Sequence, residues 1–120
     1  TVWEHWEGPI DPRKPDGTGV GSLNHDAKGS CVAWLFRTMC GIRVAGENHF
    51  EIAPRPGGRF SYARAEYNSV YGKVLSQWER VKNKIIFTIH VPPNTTAEIR
   101  LPGDSLAIME SGEYVFEKQV

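Results

Sequence analysis

The stretch FSYARAEYNSVYGKVLSQWERVKNKIIFTIHV, residues 60–91, decides the fold because apolar and polar residues alternate along it. Successive side chains of a β-strand point to opposite faces, so a period of two is typical of strands with one buried face. The alternating runs are residues 60–65, 74–79, 85–91 and, further on, 114–116. Residues that favour turns precede or separate them, at 54–58, 68–72, 82–84 and 92–94. Short strands with a turn about every ten residues predict a mainly β fold, an antiparallel β-sandwich.

Before these strands, residues 24–40 predict one amphipathic α-helix. Asn24 is a good N-cap residue, and Gly41 is a good residue to follow the helix. One apolar stripe recurs at spacings of three and four, formed by Ala27, Cys31, Val32, Leu35, Phe36, Met39 and Cys40. Trp34 lies off this stripe and needs a second surface to cover it. We therefore expect the helix to pack among other helices.

Residues 1–22 are irregular, with three prolines and four glycines, so they predict a loop. This loop opens with Trp3 and Trp6 on either side of Glu4. Aromatic residues in a loop without a core of its own suggest a binding site or a docking face.

Composition excludes several classes of function. The 120 residues carry 14 basic and 14 acidic side chains, so neither nucleic acid nor an anionic membrane is expected as the main partner. No run of about 18 apolar residues predicts a membrane span. The first residues are charged and aromatic, so we expect no signal peptide in this chain, and the start at Thr1 predicts a processed protein or a piece of a longer one.

Nine residues at about 100° each place Cys31 and Cys40 half a turn apart around the predicted helix, on opposite sides of its broad apolar stripe, and about 13.5 Å apart along its axis. A disulfide needs Cα atoms within about 7 Å, so we expect two free thiols. Free thiols and the lack of a signal peptide favour a cytoplasmic location.

Glu4 is the clearest candidate for a catalytic carboxylate. The flanking indoles, Trp3 and Trp6, could desolvate it and stack on a sugar ring while the carboxylate activates a water molecule. Spacing alone favours the simpler interpretation, a solvated glutamate in a loop. His25, at the predicted start of the helix, could hydrogen-bond to a hydroxyl group as a neutral imidazole, although an ordinary histidine near a helix cap is the more common case.

The other motif searches are negative. His5, His49 and His90 share no spacing typical of metal ligands, so we predict no structural zinc and no metal site. The sequence has no phosphate-binding or nucleotide-binding glycine motif after a strand and no nucleophile elbow. Residues 94–96 form an Asn-Thr-Thr sequon, which we interpret as the end of a turn.

Several motifs together resemble one known family. They are TVWEHW at 1–6, SLNHDAKGSCVAWLFRTMCGI at 22–42, HFEIAPRPGG at 49–58, SYARAEYNSVYGKVLSQW at 61–78 and VPPNTTAEIRLPG at 91–103. In this order and spacing the chain resembles the C-terminal end of bacterial α-L-rhamnosidases of glycoside hydrolase family 78. The resemblance implies that residues 1–45 are the last loop and helix of an (α/α)6-barrel catalytic domain, and that residues 46–120 are the β-sandwich that follows it.

The resemblance also implies an activity, the removal of terminal α-L-rhamnose from glycosides with inversion and without an organic cofactor. The W-E-x-W motif at residues 3–6 would make Glu4 the general base, with Trp3 and Trp6 in the substrate site, and the Asn24-His25 pair would bring His25 to the bound rhamnose. The general acid of the family lies on barrel segments that precede Thr1, so the missing N-terminal part of the enzyme is the implied partner. The chain alone is therefore predicted to be inactive.

Two alternatives for the β-sandwich stay open. It could be a stand-alone carbohydrate-binding module whose aromatic platform comes from Tyr62, Tyr67, Tyr71 and Trp78. Tyr62 and Tyr67 fall on opposite faces of a strand, however, which favours a place in the core for most of these residues. The domain could instead be a structural cap on the barrel, a role that predicts no ligand binding by the β-sandwich.

Overall fold

The computed structural model describes residues 24–119. Three short helical segments come first, α1 (Asp26–Gly29), α2 (Cys31–Trp34) and a π-helical segment (Leu35–Met39). The strands follow: β1 (Ile42–Val44), β2 (His49–Ile52), β3 (Tyr62–Ser69), β4 (Gly72–Val81), β5 (Lys84–Val91), β6 (Thr96–Ile99), β7 (Ala107–Met109) and β8 (Gly112–Gln119). The chain divides between Trp34 and Leu35 into two compact units, and the second unit contains all of these strands.

The strands form two four-stranded sheets, in the orders β1-β2-β6-β7 and β3-β4-β5-β8. The second sheet is antiparallel throughout. In the first sheet β2 and β6 run parallel, from the pair His49–Thr96 to the pair Ile52–Ile99, while the flanking pairs are antiparallel. The predicted mainly β sandwich is confirmed, with one parallel pair inside it.

A single hydrophobic core receives side chains from both sheets. Its fully buried members include Phe50 and Ile52 of the first sheet and Trp78, Phe87 and Ile89 of the second. The alternation predicted for β4 and β5 is confirmed, since every second residue of β5 from Ile85 to Val91 is buried. Burying a large apolar side chain stabilises a fold by about 1.5–3 kcal/mol, so this core is the main source of stability.

The predicted helix over 24–40 is wrong in its continuity. The α-helical segments are separated at Ser30, after Gly29, where the Ser30 hydroxyl donates a hydrogen bond to the carbonyl of Ala27 (2.6 Å). Glycine weakens a helix, and a serine that bonds back to the preceding turn bends it. The N-cap is also one residue later than predicted, at His25 instead of Asn24.

The helical region ends as a π-helix. The amides of Cys40 and Gly41 donate to the carbonyls of Leu35 and Phe36, five residues earlier. Gly41 then takes a φ of +72°, the left-handed conformation expected after a helix. Both cysteines are free, Cys31 exposed and Cys40 buried. Within residues 24–119 no helix has the length and apolar character needed to cross a membrane.

Candidate functional site

Three of the four site residues predicted from the sequence, Glu4, Trp3 and Trp6, lie outside the described residues. Their roles stay predictions.

The fourth residue, His25, occupies the N-cap of α1 with an extended backbone (φ −81°, ψ 103°). Its carbonyl accepts a hydrogen bond from the amide of Gly29 (3.0 Å), whereas its side chain does not cap the helix. The Nδ1 atom is buried and has no hydrogen-bond partner within residues 24–119. A buried ring nitrogen without a partner loses its hydration, so a ligand hydroxyl that bonded to it would remove this cost.

The aromatic residues of the β-sandwich do not assemble into a common platform. Trp78 is 0% exposed, in the core. Tyr67 packs edge-on against Phe50, with ring centroids 6.3 Å apart. Tyr62 is 47% exposed and pairs with Glu79, on the face of the sheet opposite to the core. The prediction that Tyr62 and Tyr67 lie on opposite faces agrees with this register.

Two side chains of β4 hold the end of the π-helical segment. The indole Nε1 of Trp78 donates a hydrogen bond to the carbonyl of Met39 (2.8 Å), and the hydroxyl of Ser76 donates to the carbonyl of Cys40 (2.6 Å). Both donors are fully buried. Carbonyls at the end of a helix lack hydrogen-bond partners inside the helix. These two bonds therefore provide donors for carbonyls that would otherwise be buried without a hydrogen bond.

The backbone after β2 adds two more bonds to the same place. The amide of Ala53 donates to the carbonyl of Gly41, and the amide of Arg55 donates to the carbonyl of Thr38, each at 3.0 Å. We call this set of four hydrogen bonds the helix-end clamp. It fixes residues 38–41 to the β-sandwich within the second compact unit.

An open pocket of about 380 Å³ lies beside the clamp, where β2 and β6 end. The two strands are parallel and adjacent, so the chain leaves both at one edge of the sheet. The segments that leave them line the pocket, 53–56 after β2 and 100–104 after β6, together with Glu51. This volume is in the range of pockets that bind small molecules.

Charges on the outer faces of the sheets are mostly paired. Glu66 accepts hydrogen bonds from Arg64 and from Lys73 (2.9 Å to Nζ), and these two cations hold the pKa of the Glu66 carboxyl below its usual value. On the other sheet His49 contacts Thr96 through Nδ1 (2.6 Å) and lies 3.5 Å from Glu98. Across residues 24–119 no group of three or more acidic, histidine or cysteine side chains is arranged to hold a metal ion.

The family described as the bacterial alpha-L-rhamnosidase C-terminal domain matches residues 43–116. This chain belongs to that family. Over 110 residues it is 39% identical to an alpha-L-rhamnosidase from Streptomyces avermitilis, covering 87% of this chain and 10% of that protein. Over 108 residues it is 39% identical to an alpha-L-rhamnosidase from Formosa agariphila, covering 88% of this chain and 12% of that protein. This rhamnosidase domain thus spans about a tenth of the curated relatives that it matches.

Solved structures of rhamnosidases share the fold. The alpha-L-rhamnosidase from Dictyoglumus thermophilum superposes with a TM-score of 0.78 at 29% identity, over 100% of this chain and 16% of that one. The Streptomyces avermitilis alpha-L-rhamnosidase complexed with L-rhamnose gives a TM-score of 0.76 at 32% identity, over 99% of this chain and 14% of that one.

Two features of this rhamnosidase C-terminal domain are not predicted from its sequence. Ser76 is a hydroxyl residue at an inward position between Val74 and Trp78, and a polar residue there could have indicated an internal hydrogen bond. The pocket joins residues near 55 and near 100, which no local pattern connects.

Proposed function

We propose that this chain is the C-terminal part of an inverting α-L-rhamnosidase that removes terminal α-L-rhamnose from glycosides. The observation that carries the proposal is the extent of the similarity to the Streptomyces enzyme. Only four residues follow the family match at 116, yet the similarity covers 87% of the chain. It therefore extends beyond the family match into the residues before 43, among which His25 stands.

In this proposal Glu4 is the general base. Inverting glycosidases use two carboxyl groups about 6.5–9.5 Å apart, one to protonate the leaving oxygen and one to remove a proton from the attacking water. Glu4 would take the proton from that water, and a carboxylic acid in the rest of the enzyme would protonate the leaving group. Trp3 and Trp6 would stack on the sugar and shield Glu4 from bulk water.

His25 is proposed to bind the rhamnose by a hydrogen bond between its ring and a sugar hydroxyl. The buried Nδ1 supports this role, because it has no hydrogen-bond partner among the described residues and the side chain does not cap the helix. We expect His25 to act on binding of the sugar and not on proton transfer.

The test of the general base uses the complete enzyme that contains this chain. We expect Glu4→Gln to lower kcat by about 10²–10⁴-fold, the usual contribution of a general base, and to leave KM nearly unchanged. Glu7→Gln is the matched control in the same segment and should keep normal turnover. Proton NMR of the first product should show β-L-rhamnose. Turnover of Glu4→Gln within a few-fold of the native rate, or α-L-rhamnose as the first product, would contradict the proposal.

The 120-residue chain alone is proposed to be inactive, since it would lack the general acid and most of the sugar pocket. The measurement is release of a chromophore from an aryl α-L-rhamnoside by the purified chain. Sustained turnover that follows the protein through purification would show that the chain carries a complete site.

The β-sandwich is proposed to have a structural role, which the helix-end clamp supports. Ser76→Ala removes one clamp bond and leaves the carbonyl of Cys40 without it, at a cost of about 1–3 kcal/mol. Ser105→Ala, at an exposed position, should change stability by less than about 0.5 kcal/mol. Urea unfolding of the chain measures both, and equal stabilities would show that the clamp contributes little.

A further inference from the structure

The pocket at the ends of β2 and β6 is lined by two arginines and two acidic residues, and the two kinds of residue differ in their ion-pair partners. Arg55 and Arg100 stand one in each exit segment, and both are exposed. Neither guanidinium forms an ion pair with any residue of the 24–119 range. The two acidic residues of the lining already have cationic partners outside the pocket: Glu51 lies 4.0 Å from Arg43, and Asp104 is paired with Lys118.

Two guanidinium groups, one on each of the segments that line the pocket, are suited to one class of ligand group. The planar fork of arginine binds a carboxylate through two parallel hydrogen bonds, and such charge-assisted bonds are stronger than neutral ones. The carboxylates of Glu51 and Asp104 still have free lone pairs beside their cations, so they can accept hydrogen bonds from hydroxyl groups. The lining therefore offers sites for an acid group and for hydroxyl groups on the same ligand.

The walls of the pocket are stiff before any ligand binds. Pro54 is fully buried, and Pro56 and Pro102 restrict the two exit segments further. The amide of Arg100 donates to the carbonyl of Ile52 (3.0 Å), which ties the second segment to the end of β2. A site whose backbone is already ordered loses less conformational entropy when it binds a ligand.

From these contacts we infer that this pocket binds a carboxylate-bearing saccharide, such as a uronic acid, through Arg55 and Arg100. Its carboxylate lies between the two guanidinium groups, and its hydroxyls face Glu51 and Asp104. This departs from the expectation that the β-sandwich binds no ligand, because the site needs neither an aromatic platform nor residues that are adjacent in sequence. The inference does not depend on Glu4 or on rhamnosidase activity, so the two proposals fail separately.

The test is a titration of the ¹⁵N-labelled 120-residue chain followed by two-dimensional NMR, with sodium D-glucuronate as the probe and D-glucose as its neutral counterpart. We expect saturable shifts of the amides in 53–57 and 100–104 with glucuronate, and none with glucose up to the same concentration. Sodium phosphate at equal ionic strength is the second comparison. Equal shifts with phosphate would mean that the site recognises negative charge alone, and this would overturn the saccharide assignment.

Variants separate a built site from general charge attraction. Arg55→Gln and Arg100→Gln should each weaken glucuronate binding by about tenfold or more, because each removes a charge-assisted pair of hydrogen bonds. Arg64→Gln removes the same charge from the other sheet and should bind as the native chain does. The three substitutions are at exposed positions, so we expect each variant to keep the fold. The two-dimensional spectrum of each variant checks this. No saturable shift in the native chain, or an equal loss in Arg64→Gln, would refute the inference.

Discussion

The close approach between Gly41 and the segment after β2 makes Gly41→Ala the sharpest test of the helix-end clamp. Gly41 has a φ of +72°, and a Cβ built on it would overlap the backbone of Ala53 and Pro54. The left-handed conformation costs a non-glycine residue roughly 1–2 kcal/mol. Forcing backbone atoms apart in a packed region costs about 1–3 kcal/mol more. We therefore expect Gly41→Ala to destabilise the second compact unit by about 2–5 kcal/mol.

Gly103→Ala is the matched control. Gly103 has a similar φ of +81°, yet nothing lies within 4 Å of the position of its Cβ. Gly103→Ala therefore has the conformational cost of the left-handed backbone without a steric cost. Part of the conformational cost is offset, because alanine restricts the unfolded chain by about 0.4–1 kcal/mol relative to glycine. The difference between the two variants thus isolates the close approach at Gly41.

Urea unfolding followed by far-UV circular dichroism measures this difference. With a denaturant slope of about 1.5 kcal/mol/M, an extra cost of about 2 kcal/mol lowers the midpoint of Gly41→Ala by about 1.3 M relative to Gly103→Ala. Equal midpoints for the two variants would refute the reasoning, since they would show that residue 41 and the Ala53–Pro54 backbone are not in contact in solution.

Two further predictions concern titratable groups. In the native chain we expect a thiol reagent to modify exposed Cys31 quickly and Cys40 only after unfolding, because burial raises the pKa of the Cys40 thiol; fast modification of both by mass spectrometry would contradict this. Hydrogen bonds from Arg64 and Lys73 lower the pKa of Glu66, so its contribution to stability is present above its unfolded pKa and is lost as pH falls through the folded value. A carboxyl ¹³C titration should give a pKa below that of a free glutamate, and Lys73→Met should raise it; a value that Lys73→Met leaves unchanged would exclude the Lys73 contribution.

The strands of the second sheet could be predicted from sequence because they are long enough to show their period. β4 and β5 contain ten and eight residues, and the alternation of apolar residues along them matches their burial. The strands of the first sheet contain three or four residues each, so a period of two hardly repeats in them. The parallel pairing of β2 with β6 joins segments more than forty residues apart, and no local pattern specifies it.

The helix shows how a long-range pattern can hide a local interruption. The apolar stripe over 24–40 is continuous in sequence, and it predicts one helix. The break at Ser30, after Gly29, interrupts the helix without interrupting the stripe, because neither residue belongs to the stripe. The π-helical segment ends where side chains of β4 bind the carbonyls of Met39 and Cys40.

The candidate site also has features that the sequence indicates and features that only the structure shows. The residue pattern alone marks Glu4 and His25 as no more than candidates, and their proposed roles depend on the family resemblance. For His25 the structure adds a buried ring nitrogen that has no partner within the 24–119 range, a feature of packing that sequence does not contain. In the sequence Arg55 and Arg100 have no feature that distinguishes them from other surface residues. The parallel pairing of β2 with β6 brings their segments to one edge of the sheet.

The segment 53–55 contributes to both of the features proposed for the β-sandwich. Its amides hold the helix end through Gly41 and Thr38, while its residues form one wall of the pocket. The backbone hydrogen bonds that fix this segment therefore also fix the wall, and the pocket does not need to be ordered by its ligand. A structural domain can acquire a binding site at little cost in conformational entropy when the backbone of the site is already held for another purpose. For this reason the structural role of the β-sandwich and the binding of an acidic saccharide are compatible properties of one domain.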